Sequence, residues 1–237
     1  MMRFEPSPEP PSFDEDVRKP GNAWLEAHPD ARSERFPNHW TRCLPDLKRA
    51  FSDLCGYSAM WTSRPTVDHY RSRASREGRR LAYDWTNYRL ADPDMNAAKG
   101  TWDARILDPF EVGNDWFEIL LPNLELVIVE ERIPPERRDD ARFTLKQLGL
   151  RDGEEILEMR RRWYDGFVEG DVSLRWLSRH APLIARAVEK RLSRINPADF
   201  DDEQTHFRRF MDGETTLKNL RRDAPRLADV IDAALRR

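Results

Sequence analysis

Apolar positions change their period twice along the chain. Residues 45–55 set Leu47, Ala50, Phe51, Leu54 and Cys55 at helical spacing, with Pro45 suited to a first turn. Residues 56–104 lose that period. Their short apolar runs predict strand, loop, strand, helix: Thr66-Val67 leading into Asp68-His69-Tyr70, a basic loop, a strand-like Tyr88-Arg89-Leu90-Ala91, and a helix start at Asp92-Pro93-Asp94. Residues 117–121 and 124–129 flank the turn pair Pro122-Asn123 and predict a β-hairpin. Beyond Pro134 the spacing is helical. One helix runs to about Leu148 and is closed by Gly149. Asp152 with Glu155 reads as a capping box ahead of Ile156, Met159, Trp163 and Phe167. Residues 182–188 continue the pattern, and a last helix buries Leu227, Val230, Ile231 and Leu235.

These elements predict an α+β fold, with a ββα unit between an N-terminal helical segment and a C-terminal helical region. Residues 1–22 carry five of the chain's 17 prolines in a polar background and read as a disordered or docking tail. Residues 23–131 then form a domain holding the ββα unit and the hairpin, and residues 132–237 a helical region. No repeat of 20–50 residues is read from the sequence.

Composition narrows the function classes. Only 39% of the 237 residues are hydrophobic and 35% are charged, which favours a surface-rich helical protein over a sandwich. With 40 basic against 43 acidic residues the net charge is -3, so nucleic acid would have to be held by a local patch. One exists: residues 64–105 hold nine basic against six acidic side chains. No run approaches the length of a membrane span, and the proline-rich start has no apolar signal core, so a cytoplasmic location without a membrane partner is expected. Two cysteines, Cys43 and Cys55, cannot form a zinc quartet, so no structural zinc is expected.

The candidate chemistry begins at Asp68-His69. A carboxylate beside an imidazole at a strand end can hold a divalent metal and take a proton from water. Asn87 follows eighteen positions after His69, Asn96 nine further, and Lys99-Gly100 closes the series. The segments VDHYRSR, LAYDWTNYRLA, DMNAAKG and ILDPFEV resemble the HNH, or ββα-metal, endonucleases, specifically those encoded beside ATPases or in retron-type bacterial defence loci.

The resemblance implies a fold, a cofactor and roles. Asp68 and Asn96 would ligate Mg²⁺ or Mn²⁺, a hard cation that takes oxygen donors. His69 would be the general base, Asn87 would fix the backbone and ring of that histidine, and Lys99 would stand near phosphate. Arg71, Arg73, Arg76, Arg79, Arg80 and Arg89 would hold the nucleic-acid backbone. The implied activity is hydrolysis of phosphodiester bonds, DNA first and RNA second, in anti-phage defence, with an ATPase or other defence protein as partner. The knuckle cysteines of zinc-bearing relatives are absent: Tyr57-Ser58 follows Cys55, and Asp92 and Asp94 stand where thiolates would. Trp61, Trp85, Tyr88 and Trp102 are expected to take over that packing. A reading of another class is a catalytically inactive ββα adaptor that binds a partner protein or nucleic acid.

Overall fold

The computed structural model describes residues 1–200 and 203–236. Asp201 and Asp202, within the acidic run ahead of the C-terminal helices, and Arg237 lie outside the described residues. The chain mixes helices with two two-stranded antiparallel sheets, an α+β composition. It forms two compact units, Met1–Trp116 with Glu130–Leu148, and Phe117–Val129 with Gly149–Arg237. The division differs from the expected one. The hairpin belongs with the C-terminal helices, and the helix after Pro134 belongs with the ββα unit.

In the first unit a π-helical turn, Asp14–Arg18, runs into α1 (Lys19–Ala27). Of the two readings of residues 1–22, a disordered or a docking tail, the structure shows the docked one. Phe4, Phe13 and Val17 are buried in the core with Leu47, Phe51, Tyr83, Trp85 and Tyr88. The Phe13 ring meets Trp85 and Tyr88 edge-on, at 5.7 and 5.8 Å between centroids. Trp85 Nε1 donates to the Ser7 carbonyl at 2.9 Å. Sparse apolar residues suffice here because the prolines limit the entropy of the unfolded segment and so the cost of ordering it.

Helix α2 (Leu44–Ala50) is shorter than its apolar spacing suggested. Ser52 and Asp53 both take positive φ, at 52° and 60°, and turn the chain before Cys55. Strand β1 (Thr66–His69) pairs antiparallel with β2 (Tyr88–Ala91), setting Asp68 opposite Arg89 and His69 opposite Tyr88. Between them α3 (Arg76–Arg80) is capped by Ser75, which accepts from Gly78 N. Asp92 caps α4 (Pro93–Lys99) in the same way through Asp94 N, so the order strand, loop, strand, helix is as read from the sequence. Helix α5 (Arg138–Gln147) completes the unit, with Thr144 Oγ1 accepting from Leu107 N at 2.9 Å.

In the second unit β3 (Phe117–Leu120) and β4 (Glu125–Ile128) form the expected hairpin. The buried Arg160 guanidinium from α6 (Glu154–Glu169) donates to the carbonyls of Leu124, Leu150 and Arg151, and burial lowers its pKa to about 10. Gly153 is the N-cap of α6, so the Asp152–Glu155 capping box does not form. Then follow α7 (Leu174–His180), α8 (Pro182–Leu192), α9 (Gln204–Met211), α10 (Leu217–Asp223) and α11 (Pro225–Arg236). Val230 is 39% exposed on α11 rather than buried with Leu227, Ile231 and Leu235.

These helices contain a repeat that the sequence reading missed. At an offset of 43 residues, Phe167 corresponds to Phe210, Gly170 to Gly213, Ser173 to Thr216, Leu177 to Leu220, and Ala181-Pro182 to Ala224-Pro225. The structure repeats with them. Both glycines end a helix at positive φ, 84° and 65°. Ser173 and Thr216 cap α7 and α10. A Cβ on Gly170 would overlap the Lys218 backbone, and one on Gly213 would overlap the Arg175 backbone, which is the corresponding residue of the other copy. Phe167 packs on Phe210 at 5.9 Å. The reciprocity of these contacts is that of an approximate two-fold axis between the copies.

The N-terminal packing is testable. Phe13→Ala is expected to destabilise the protein by about 3–5 kcal/mol in urea unfolding, as for a buried core phenylalanine. A loss below about 1 kcal/mol would restore the disordered-tail reading.

Candidate functional site

Residues scattered over four tens of positions meet where α4 lies against β1. Asn96 and Lys99 are one helical turn apart and both turn toward the strand. Lys99 Nζ donates to Asp68 Oδ1 at 3.1 Å and to the His69 carbonyl at 2.9 Å. Asp68 is 2% exposed and Lys99 is fully buried. The second Asp68 oxygen accepts from the Tyr57 hydroxyl. Burial first, and then the Asp68 charge, hold the Tyr57 pKa well above the usual range. Tyr57 therefore stays a neutral donor, and the carboxylate is engaged on both oxygens.

His69 lies 7% exposed under the Trp40 ring, which it meets edge-on at 4.8 Å, and beside Tyr88 at 5.1 Å. Its Nε2 sits 2.9 Å from the Ala82 carbonyl. A carbonyl only accepts, so Nε2 carries the proton and Nδ1 keeps its lone pair. Burial chiefly, and then the Arg73 and Lys99 charges, push the pKa down to about 3 against the opposing Ala82 bond. The imidazole is thus neutral at working pH, and its environment disfavours the imidazolium that a general base must form.

Two asparagines position the backbone. Asn87 Oδ1 accepts from Arg71 N at 2.7 Å, and its Nδ2 donates to the carbonyls of Arg71 and Leu81. It clamps the loop that leaves His69. Asn96 Nδ2 donates to Thr66 Oγ1 at 3.0 Å and to the Val67 carbonyl at 3.4 Å, tying α4 to β1.

These residues do not fit the Mg²⁺ or Mn²⁺ that the HNH resemblance implies. The cation beside Asp68 is the Lys99 ammonium, and Tyr57 takes the remaining oxygen. Asn96 turns its amide nitrogen to the strand. No three His, Cys, Asp or Glu side chains cluster to hold a metal among the described residues. Asp68 and Asn96, the expected metal pair, take part in internal polar contacts in this structure.

Most of the basic residues also have partners within the chain. Lys99 is too deeply buried to reach a phosphate. Arg89 forms a bidentate pair with Asp108, at 2.7 and 2.6 Å, and lies 3.7 Å over the Phe110 ring, so it is part of the core. Arg79 donates to the carbonyls of His28 and Ala31, both at 2.8 Å. Arg73 donates to the Ser33 carbonyl and lies over Trp40 at 4.5 Å. These two arginines fasten residues 28–40 over His69 instead of projecting from the loop. Arg71 packs on Tyr70, leaving Arg76 and Arg80 as the exposed members of the set.

The replacement for zinc packing is also different from the expected one. Trp61 and Trp102 are 38% and 49% exposed, whereas Trp85 and Tyr88 are core residues. The knuckle region is closed by polar bonds: Gly56 N to the Leu90 carbonyl at 2.7 Å, and Thr62 Oγ1 to Asp92 at 3.0 Å. Sequence reasoning missed Tyr57, Trp40 and Asp108 as partners of the site. ILDPFEV already contained Asp108, but nothing local announces a contact with Arg89 nineteen residues away.

No family model matches the chain, no curated protein is similar to it, and no solved structure matches it.

Two predictions follow from this geometry. Lys99→Met strands a buried carboxylate and is expected to cost about 3–5 kcal/mol, with much of the loss recovered in Asp68→Leu/Lys99→Met. Additive losses in that double-mutant cycle would show that the two groups are not coupled. The second concerns acid. Because the His69 pKa is depressed in the folded state, the unfolded chain binds the extra proton, and stability falls as pH drops from about 6.5 toward 3. His69→Gln keeps a donor for Ala82 and removes this dependence. Relative to wild type it is expected to gain about 1–2 kcal/mol between pH 6.5 and 5. Parallel stability curves for the two proteins would contradict the buried neutral imidazole.

Proposed function

We propose that the chain is a non-catalytic ββα protein of HNH type that works as an adaptor for a partner protein. The observation that carries this reading is the Lys99 ammonium on Asp68, both out of water, with Tyr57 on the other carboxylate oxygen. A hydrolytic centre needs an open position for the substrate and a base that can accept a proton. Here the carboxylate is neutralised internally and the imidazole is covered. The partner is a protein first and nucleic acid second, because Arg73, Arg79 and Arg89 are spent on internal carbonyls, rings and Asp108. The resemblance to nucleases encoded beside ATPases makes a defence-system ATPase the partner class to try first.

One observation favours the second reading, an endonuclease acting on DNA or RNA. Asp68, His69, Asn96 and Lys99 converge, and the Nε2–H bond to Ala82 leaves Nδ1 in the tautomer that a base requires.

Supercoiled plasmid incubated with the purified chain and Mg²⁺ or Mn²⁺ separates the two. The adaptor reading predicts no nicking above that of His69→Ala. Divalent-dependent nicking that disappears in His69→Ala would replace it with the nuclease reading.

A further inference from the structure

The first unit holds a cavity of about 220 Å³, separate from the Asp68–Lys99 pair. Its floor is Leu47, Phe51, Trp85 and Tyr88, all buried. Pro6 and Thr86 line it too and are exposed, so they mark its mouth, with Ser7 and Phe110 half-buried beside them. Protein interiors leave few voids larger than a water molecule. An apolar cavity of about 150 Å³ already takes up benzene.

The lining sets the chemistry of what fits. Four of its members, Phe51, Trp85, Tyr88 and Phe110, are rings, and rings pair best with a flat partner held offset or edge to face. The polar tips of these rings are used elsewhere. The Tyr88 hydroxyl donates to the Ala82 carbonyl at 2.8 Å, and Trp85 Nε1 donates to the Ser7 carbonyl at 2.9 Å. No charged side chain lines the cavity. The Arg89 guanidinium, 3.7 Å over the Phe110 ring, is paired with Asp108 and offers nothing to an anion. At the mouth the groups with spare capacity are acceptors. A carbonyl oxygen has two lone pairs, and that of Ser7 takes one bond, from Trp85. The Thr86 hydroxyl gives its proton to Asp84 Oδ1 at 2.6 Å, so its oxygen can only accept.

We infer that this cavity binds a small uncharged aromatic molecule of one or two fused rings with a single N–H or O–H donor on its edge, the chemistry of indole or a phenol. The ring lies among Phe51, Trp85 and Phe110, and the donor reaches the Ser7 or Thr86 oxygen at the mouth. A nucleotide is excluded by charge and by size, since sites for ligands of that bulk run to about 300–1,000 Å³. A carboxylate on the ring would face only acceptors or apolar walls. The inference lies wholly within the first unit and does not depend on whether the Asp68 site is catalytic or on whether a partner protein binds.

Titration of the full ¹⁵N-labelled chain with indole, followed at the tryptophan Nε1–H signals, tests it. The Trp85 signal is assigned by through-bond correlation to its own backbone amide, so no variant has to fold. A saturable shift of that signal is expected, with the Trp163 signal unmoved. N-methylindole, which lacks the donor, and indoleacetate, which carries a charge, should each bind about tenfold more weakly or worse. Absence of a saturable Trp85 shift up to the solubility of indole overturns the inference, as does equal affinity for indole and N-methylindole. Tighter binding of N-acetyltryptophanamide than of indole would give the cavity to a side chain of a partner protein instead.

Discussion

An ammonium and a carboxylate held together out of water constrain most of the first unit. Either charge alone in that position would cost several kcal/mol, so α4 must stay against β1 for both to be compensated. Tyr57 satisfies the second Asp68 oxygen, and the His69 carbonyl accepts a second hydrogen bond from Lys99 Nζ. Asn96 reinforces the same helix–strand contact and Asn87 fixes the loop that follows. The polar side chains of these residues are turned to one another. Together they form a packed polar core, and the Trp40 ring covers His69.

The arginines obey the same logic. A guanidinium has five donors in a fixed plane, and a buried one must find acceptors for them. Arg89 finds Asp108 and two carbonyls; Arg160 finds three carbonyls without an acid. In a chain rich in charge, arginine becomes a means of tying loops and turns to helices. In the second unit the same economy shows in the repeat. A small set of glycine, capping and apolar positions builds the helix pairs twice, and the positions outside that set are free to differ between the copies.

Local signals were legible and long-range partners were not. The order β1, β2, α4 could be read because strand alternation, the Asp92 cap and Pro93 are short-range features. The hairpin could be read from two apolar runs about a turn pair. Docking and disorder of the N-terminal segment could not be told apart because Phe4, Phe13 and Val17 are too sparse to show a period, although each reaches the core. The repeat was missed because its shared positions are few and spaced by dissimilar charged residues. At the site, residue types and spacing brought attention to Asp68, His69, Asn87, Asn96 and Lys99. Their exposure and the direction of each polar atom decide what they do, and neither is written in spacing. Lys99 could equally have faced a phosphate; it faces Asp68.

The central claim is that Lys99 is the resident cation of Asp68. Nitrogen-detected NMR of ¹⁵N-lysine-labelled protein observes this group directly, with Lys99→Arg supplying the assignment. A buried, bonded ammonium exchanges its protons slowly, so the account predicts a sharp Lys99 Nζ signal that stays in place when Mg²⁺ or Mn²⁺ is added. A signal lost to rapid exchange, or one that moves with Mg²⁺, would contradict it and return Asp68 to the role of a metal ligand.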